Sequence, residues 1–570
     1  MGLLGPPELR NAAPPPSPPP ETNTKPPPSA GVQERRPRVF NPPMGFTENM
    51  AATYLSSGDP CLDFFFHVVP DTPSGSLEAR LSAAWEHDPL TALKLVFNLR
   101  GVRGTGKSDK QGAQQKTEWD KRKLLALVKS SEWKCKGTVN KKKVMYMVPS
   151  LPKEERKLLM AKKLIDKYNG DGDFRYLYDR ISDFFGEALR ADLERLNAGE
   201  AHKISLAAKW CPSIDRSFDR STLLCEAIAQ KVFPRMSHPE YEGIEEAHYI
   251  YRVRDRLRKE VLVPLRKVLE LPETYIGANR WDSIPYNRVA SVAMNFYKNK
   301  FFKHDGERFQ GYLESVEKGE AKIAAGALLP HEIIQALDDG DDDEGEVAEL
   351  QWKRMVDDLR QRGKLRNCMA ICDVSGSMRG TPMEVLVALG LLVSELSEDP
   401  WKGKLITFSN NPKLQMIKGD SLREKTSFVT RMEWGMNTDF QKVFDLILKV
   451  AVEGKLKREQ MIKRLFVFSD MEFDQASSES GEAWETDYKK IKRKFRKKGF
   501  GKTLPEIVFW NLRDSMATPV PGSQKGVALV SGFSKNLLKM FFEGDGIIDP
   551  VEVMRSAISG EEYQKLAVVD

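Results

Sequence analysis

At 570 residues, with a net charge of +7 and 41% hydrophobic residues, the chain exceeds one ordinary core and reads as a multidomain globular protein with a tail. No apolar run reaches the roughly 18 residues that a bilayer crossing needs, so no membrane role is expected. A charge this mild for the length confines any basic surface to a local patch. Six cysteines without C-x-x-C spacing argue against a disulfide framework and for a reduced, intracellular protein, cytoplasmic first and nuclear second.

Residues 1–43 contain 14 of the 34 prolines and read as a solvated, disordered Pro-rich tail that serves as a tether. Residues 44–337 read as an α-helical, repeat-like region. Apolar residues recur at helical spacing, as in Leu90, Leu93, Val96 and Phe97, or Leu158, Leu159, Leu164 and Tyr168. Asp88-Pro89 and Ser150-Leu-Pro152 are helix starts.

Inside this region Gly101-Val-Arg-Gly-Thr-Gly106-Lys107-Ser108 matches the phosphate-loop pattern G-x-x-x-x-G-K-[ST]. Such a loop works only with a strand before it and an apolar-faced helix after it, because helix-start amides hold the phosphates. Here the preceding text has helical period and the following text is polar. A nucleotide site at Gly106, Lys107 and Ser108 is therefore the least favoured reading. From Arg100 to Lys167 bases outnumber acids, with Arg100, Arg103, Lys107, Lys121, Arg122, Lys123, Lys141, Lys142 and Lys143 as candidate phosphate contacts and aromatics among them. A second basic run, Arg252 to Lys259, has an opposite apolar stripe at Leu257, Val261 and Leu265 and fits a solvated helix face equally well.

Residues 338–364 form an acidic linker and lead-in helix. From 365 to 570 apolar strands alternate with helices, as expected of an α/β doubly wound parallel sheet. Cys368 to Cys372 is a buried-strand run leading into Asp373-Val-Ser375-Gly-Ser377, and Arg464 to Ser469 is a second run leading into Asp470. Strand ends of such sheets carry the ligand sites. Asp373, Ser375, Ser377, Thr438 and Asp470 thus form a candidate site of hard oxygen donors suited to Mg2+ or Mn2+. No histidine follows His331, so a His-based triad or zinc site in this region is excluded. The hydroxyl-rich, single-metal pattern indicates binding rather than catalysis, and no enzyme activity is expected.

These five residues resemble the metal-ion-dependent adhesion site of von Willebrand factor A domains, which uses Asp-x-Ser-x-Ser, a later loop Thr and a still later loop Asp. The resemblance implies one Mg2+ or Mn2+ with an open position, completed by an acidic residue on a protein partner. The stretch Ala92 to Ser108 is similar to the Arg/Gly/Lys segment of the TROVE module of Ro autoantigen proteins, in which a helical-repeat ring precedes an A domain. That resemblance implies RNA binding. Ser205-Leu-Ala-Ala-Lys-Trp210-Cys-Pro-Ser213 and the run from Lys322 to Ile333 resemble more closely a family of uncharacterised plant and giant-virus proteins that joins a helical region to an A domain.

The leading expectation is thus an RNA- or ribonucleoprotein-binding scaffold with a Mg2+-dependent partner-binding A domain. The first alternative is a protein–protein adaptor without RNA, and the second a P-loop nucleotide hydrolase.

Overall fold

A computed structural model describes residues 3, 5, 42–48, 52–101, 105–107, 133–139, 142–147, 153–337, 345–408, 411–432, 440–473, 484–542, 548–564 and 566–568. The chain divides into two compact units, Met1–Arg35 with Leu124–Arg288, and Arg36–Lys123 with Val289–Asp570.

The first unit is mainly helical. Helices Lys153–Gly170, Gly172–Asn197, Leu224–Val232 and Glu246–Arg256 are its main elements, the last running through a π-helical stretch, Leu257–Leu262, into Val263–Val268. Leu189, Ile228, Tyr241, Tyr249, Val253, Leu257 and Leu265 form its core. A hairpin, Trp133–Val139 paired antiparallel with Lys142–Met147, interrupts the all-helical expectation. The alternation Trp133-Lys-Cys-Lys136 and the run Val144-Met-Tyr-Met147 suit a strand pair better than a helix.

The second unit is built on a six-stranded sheet. Its strands are β1 (Cys368–Cys372), β2 (Lys404–Thr407), β3 (Leu414–Met416), β4 (Arg464–Ser469), β5 (Glu506–Asn511) and β6 (Val527–Ser531), in the order β6-β5-β4-β1-β2-β3. Every residue of β1, β4 and β6 is buried. Side chains alternate between faces along a strand, so both faces of the sheet are covered. All neighbours pair parallel except β2 and β3. The expected all-parallel sheet is therefore mixed. The short connection between β2 and β3 cannot make a crossover, which takes a dozen residues or more.

The unit also recruits sequence from the N-terminal region. The helix Pro60–His67, with Phe64, Phe65 and Phe66 no more than 1% exposed, shares one core with the sheet. His67 bonds the Ser515 carbonyl and Thr518 Oγ1, both at 2.9 Å, and Asn98 Nδ2 donates to the Ala557 carbonyl at 3.0 Å and to Tyr563 Oη at 2.9 Å. The expected partition into 44–337 and 365–570 does not follow these compact units. Aromatic side chains this apolar are stable only inside a core, and the sheet offers the largest one. Among the described residues, no helix is long and apolar enough to cross a membrane.

Candidate metal and partner site

In the sheet order β6-β5-β4-β1-β2-β3, chain connections reverse direction between β1 and β4. Such a switch point is where open α/β sheets hold ligands, outside the carboxyl ends of their strands. Cys372 pairs with Phe468, and the Asp373 amide donates to the Phe468 carbonyl at 3.1 Å. The parallel register thus sets Asp373 level with Ser469 and brings Asp470, the next residue, to the same strand end.

Both carboxylates are buried, Asp373 at 5% and Asp470 at 1% exposure. Asp373 Oδ2 accepts from Ser469 Oγ at 2.7 Å, and its Oδ1 accepts from the Ser375 amide at 3.1 Å. Burial first, and the Asp470 charge second, push the Asp373 carboxyl up to about 6. The Ser375 and Ser377 hydroxyls meet at 2.9 Å. Asp470 Oδ1 accepts from the Glu472 amide at 3.2 Å, whereas Asp470 Oδ2 is buried without a hydrogen-bond partner. The nearest cation in an ion pair with it is the Arg513 guanidinium, 3.8 Å away. Met471, the next residue, has a φ of +67°, a conformation that costs a β-unbranched side chain energy and clusters at functional sites.

Two buried anions, two neighbouring hydroxyls and an orphaned carboxylate oxygen form a donor set that fits a small hard cation. Asp373, Ser375, Ser377 and Asp470 come together at this strand edge; Thr438 lies outside the described residues. Arg513 was not legible as a neighbour, because nothing in its local sequence marks the reach from the end of β5 to Asp470. Glu472, an acid just past Asp470, accepts from Ser515 Oγ at 2.7 Å and from the Glu48 amide at 2.6 Å. It ties the loop down rather than adding a ligand.

The phosphate-loop match receives a different account. A helix, Pro89–Arg100, stands where the mechanism needs a strand. The Lys107 amide donates to the Asn98 carbonyl at 2.9 Å, and a Cβ on Gly106 would lie 2.1 Å from the Gly101 carbonyl oxygen. The two glycines are there so that the loop can close upon itself. Lys107 is 2% exposed. Its ammonium donates to the Phe65 carbonyl, to Ser531 Oγ at 2.7 Å and to the Val68 carbonyl at 3.4 Å, and lies 4.4 Å from the Phe65 ring centroid. It caps the end of the helix Pro60–His67 and turns away from solvent, which takes Lys107 and Gly106 out of the nucleotide site and Lys107 out of the RNA-binding set. Ser108 lies outside the described residues.

Of the other basic candidates, Arg100 is exposed in the last turn of its helix. Arg103, Lys121, Arg122, Lys123 and Lys141 lie outside the described residues, and Lys142 and Lys143 open the second strand of the hairpin. The run Arg252 to Lys259 is largely neutralised. Arg254 pairs with Asp215 and Asp219, Arg256 with Glu240 and Glu260, and Arg258 and Lys259 with Asp255, while Leu257, Val261 and Leu265 are fully buried. The solvated-face reading describes it.

Residues 47–123 and 114–365 match the family described as Domain of unknown function (DUF2828). The chain belongs to the DUF2828 family. Residues 367–567 match a second description, Domain of unknown function (DUF7788). Over 524 residues the chain is 30% identical to the uncharacterized protein L728 of Acanthamoeba polyphaga mimivirus, covering 88% of this chain and 85% of that protein. In this DUF2828 protein the two matched regions meet just before β1, so the sheet unit draws on both.

Proposed function

We propose that the sheet unit is a von Willebrand factor A-type domain that binds one Mg2+ or Mn2+ and, through it, an acidic residue of a protein partner. The buried, unpartnered Asp470 Oδ2 beside Asp373 carries this reading. Two carboxylates this deeply buried repel one another, and a divalent cation is the ligand that reverses the sign of that interaction. Asp373, Ser375, Ser377 and Asp470 would hold the ion, with Thr438, two residues before the helix Phe440–Glu453 in the sequence, as the fifth candidate. When bound, the ion supplies an electrophilic position for a carboxylate.

The chain is then an adaptor, because a hydroxyl-rich, single-ion site matches the binding of a partner's carboxylate better than catalysis. This reading keeps the partner-binding half of the sequence-based expectation. The RNA-binding half loses Lys107, whose ammonium is bonded inside the core.

Thermal melting of the full chain in EDTA and in MgCl2 tests the proposal. Mg2+ is expected to raise the melting temperature of the wild type and leave Asp373→Ala unmoved. An equal Mg2+ effect in both proteins would sink the site.

A further inference from the structure

The strand end that carries Asp373 and Asp470 also carries a cation of its own. Asp470 Oδ2 is buried without a hydrogen-bond partner, and Arg513 Nη1 stands 3.8 Å from it. An N–H···O bond closes to about 2.7–3.2 Å. Arg513 therefore faces the carboxylate as a charge and leaves its lone pairs unsatisfied.

The backbone of Arg513 is pinned, whereas its guanidinium is open to solvent. Beyond β5 the Leu512 amide donates to the Ser469 carbonyl at 3.0 Å, which holds the chain against the residue before Asp470. The Arg513 amide donates to Asn511 Oδ1 at 3.2 Å, and Ser515 Oγ donates to Glu472 Oε1 at 2.7 Å. The Arg513 side chain is nevertheless 42% exposed, against 2% for that of Asp470. A guanidinium so well hydrated is held weakly by a carboxylate at this distance. A cation of higher charge can displace it.

A second acceptor is the next residue. Asp514 Oδ1 is also buried without a hydrogen-bond partner. Burial holds the Asp514 carboxyl above its ordinary range, while the Arg80 charge, the Thr72 hydroxyl and the Arg513 charge act against that rise. Arg513 thus acts on two carboxylates, each with one orphaned oxygen.

We infer that Arg513 is the chain's own counter-ion at the Asp373–Asp470 site, and that Mg2+ or Mn2+ binds there by exchange with it. The inference rests on the reading of this strand end as an ion site. Once the two aspartates hold a divalent ion, the guanidinium is repelled from Asp470 Oδ2 and turns to Asp514. One positive charge replaces another, so the buried carboxylates keep a counter-charge throughout. Occupancy is then regulated from within the chain, because the ion must outcompete an arginine that is always present and the apparent affinity falls by the fraction of sites that the arginine holds.

The test is Mn2+ titration of the full chain, followed by the paramagnetic resonance of the free ion. Arg513→Gln should bind Mn2+ about three-fold more tightly or better than the wild type, because the repulsion between neighbouring cations is gone. Lys492→Gln removes an exposed cation from the helix Trp484–Lys497 and should leave the affinity unchanged, which separates the Arg513 contact from net charge. A wild type that binds Mn2+ while Arg513→Gln binds no more tightly would overturn the exchange and leave the ion site standing. Equal tightening in Lys492→Gln would also overturn it. Absence of Mn2+ uptake by both the wild type and Arg513→Gln would overturn the ion-site reading and this inference together.

Discussion

At their carboxyl ends β1 and β4 hold two buried aspartates and two serine hydroxyls, and at their amino ends the same strands border a cavity lined, among the described residues, by Arg360, Arg362, Lys364, Arg366, Lys463 and Arg464. The contrast follows from how each end is made. The acidic end is built by register. Two adjacent parallel strands each run into Asp, and the pairing of Cys372 with Phe468 sets Asp373 level with Ser469, one residue before Asp470. The basic end is built by convergence of the turn after the helix Gly345–Arg360, the start of β4 and the aromatic pair Phe541 and Phe542. Anions brought together by register are forced into proximity and buried, so they call for a cation. Cations brought together by turns remain partly solvated, whereas Arg464 is buried and takes Glu506 as its counter-charge.

That difference can be broken most severely at the Arg464–Glu506 pair. Arg464 Nε and Nη2 donate to Glu506 Oε2 at 3.0 and 2.8 Å. Glu506→Ala strands a guanidinium inside the protein and should cost about 3–5 kcal/mol in denaturant unfolding. A loss below about 1 kcal/mol would mean that the pair is no more than a surface contact. Next in size, Lys107→Ala should cost about 2–4 kcal/mol, because it leaves Ser531 Oγ as the one remaining side-chain donor to the Phe65 and Val68 carbonyls among the described residues and opens a gap. ATP should not change the melting temperature of the wild type or of this variant. An ATP-dependent rise that the variant abolishes would restore the nucleotide reading.

A smaller effect of opposite sign is expected at the acidic end. Asp470→Asn removes one of two neighbouring buried charges and should stabilise the metal-free protein by about 1 kcal/mol. A destabilised variant in EDTA would show that Asp470 is held by its surroundings without need of an ion.

The finest distinction lies at the basic end. Lys539, ordinarily near 10.5, is pushed down to about 8 in the fold. Between those pH values the unfolded chain binds a proton that the folded chain does not, so this residue makes stability rise with pH from about 8 to 10.5 and contributes no slope below 8. Lys539→Met should flatten that rise in urea unfolding curves. An unchanged slope would show that burial and the Arg362 charge do not hold the Lys539 ammonium down in the fold.

The acidic end was legible in the sequence and the basic end was not. Continuous apolar runs ending in Asp mark parallel strands covered on both faces, and β1 and β4 occur where those runs predict. The edge strand β3, Leu414–Met416, is legible as a short strand, but its antiparallel direction is not, because a loop length sets it rather than its own residues. The cavity escaped because Arg362 and Lys463 are far apart in sequence and meet only through the sheet. Gly101 to Ser108 shows the converse. A flawless local pattern has its meaning set by what surrounds it, and here a preceding helix and a buried pocket of carbonyls turn a phosphate-type lysine into a helix cap. The inclusion of Pro60–His67 in the sheet core was equally silent, since an apolar helix does not name the surface it covers.

The most direct measurement on the central claim is titration of the full chain with Mn2+, followed by the paramagnetic resonance of the free ion. The account predicts one site per chain in the wild type, competed by Mg2+ and lost in Asp470→Asn. A wild type that takes up no Mn2+ at millimolar concentration, or an Asp470→Asn variant that binds as the wild type does, would contradict it.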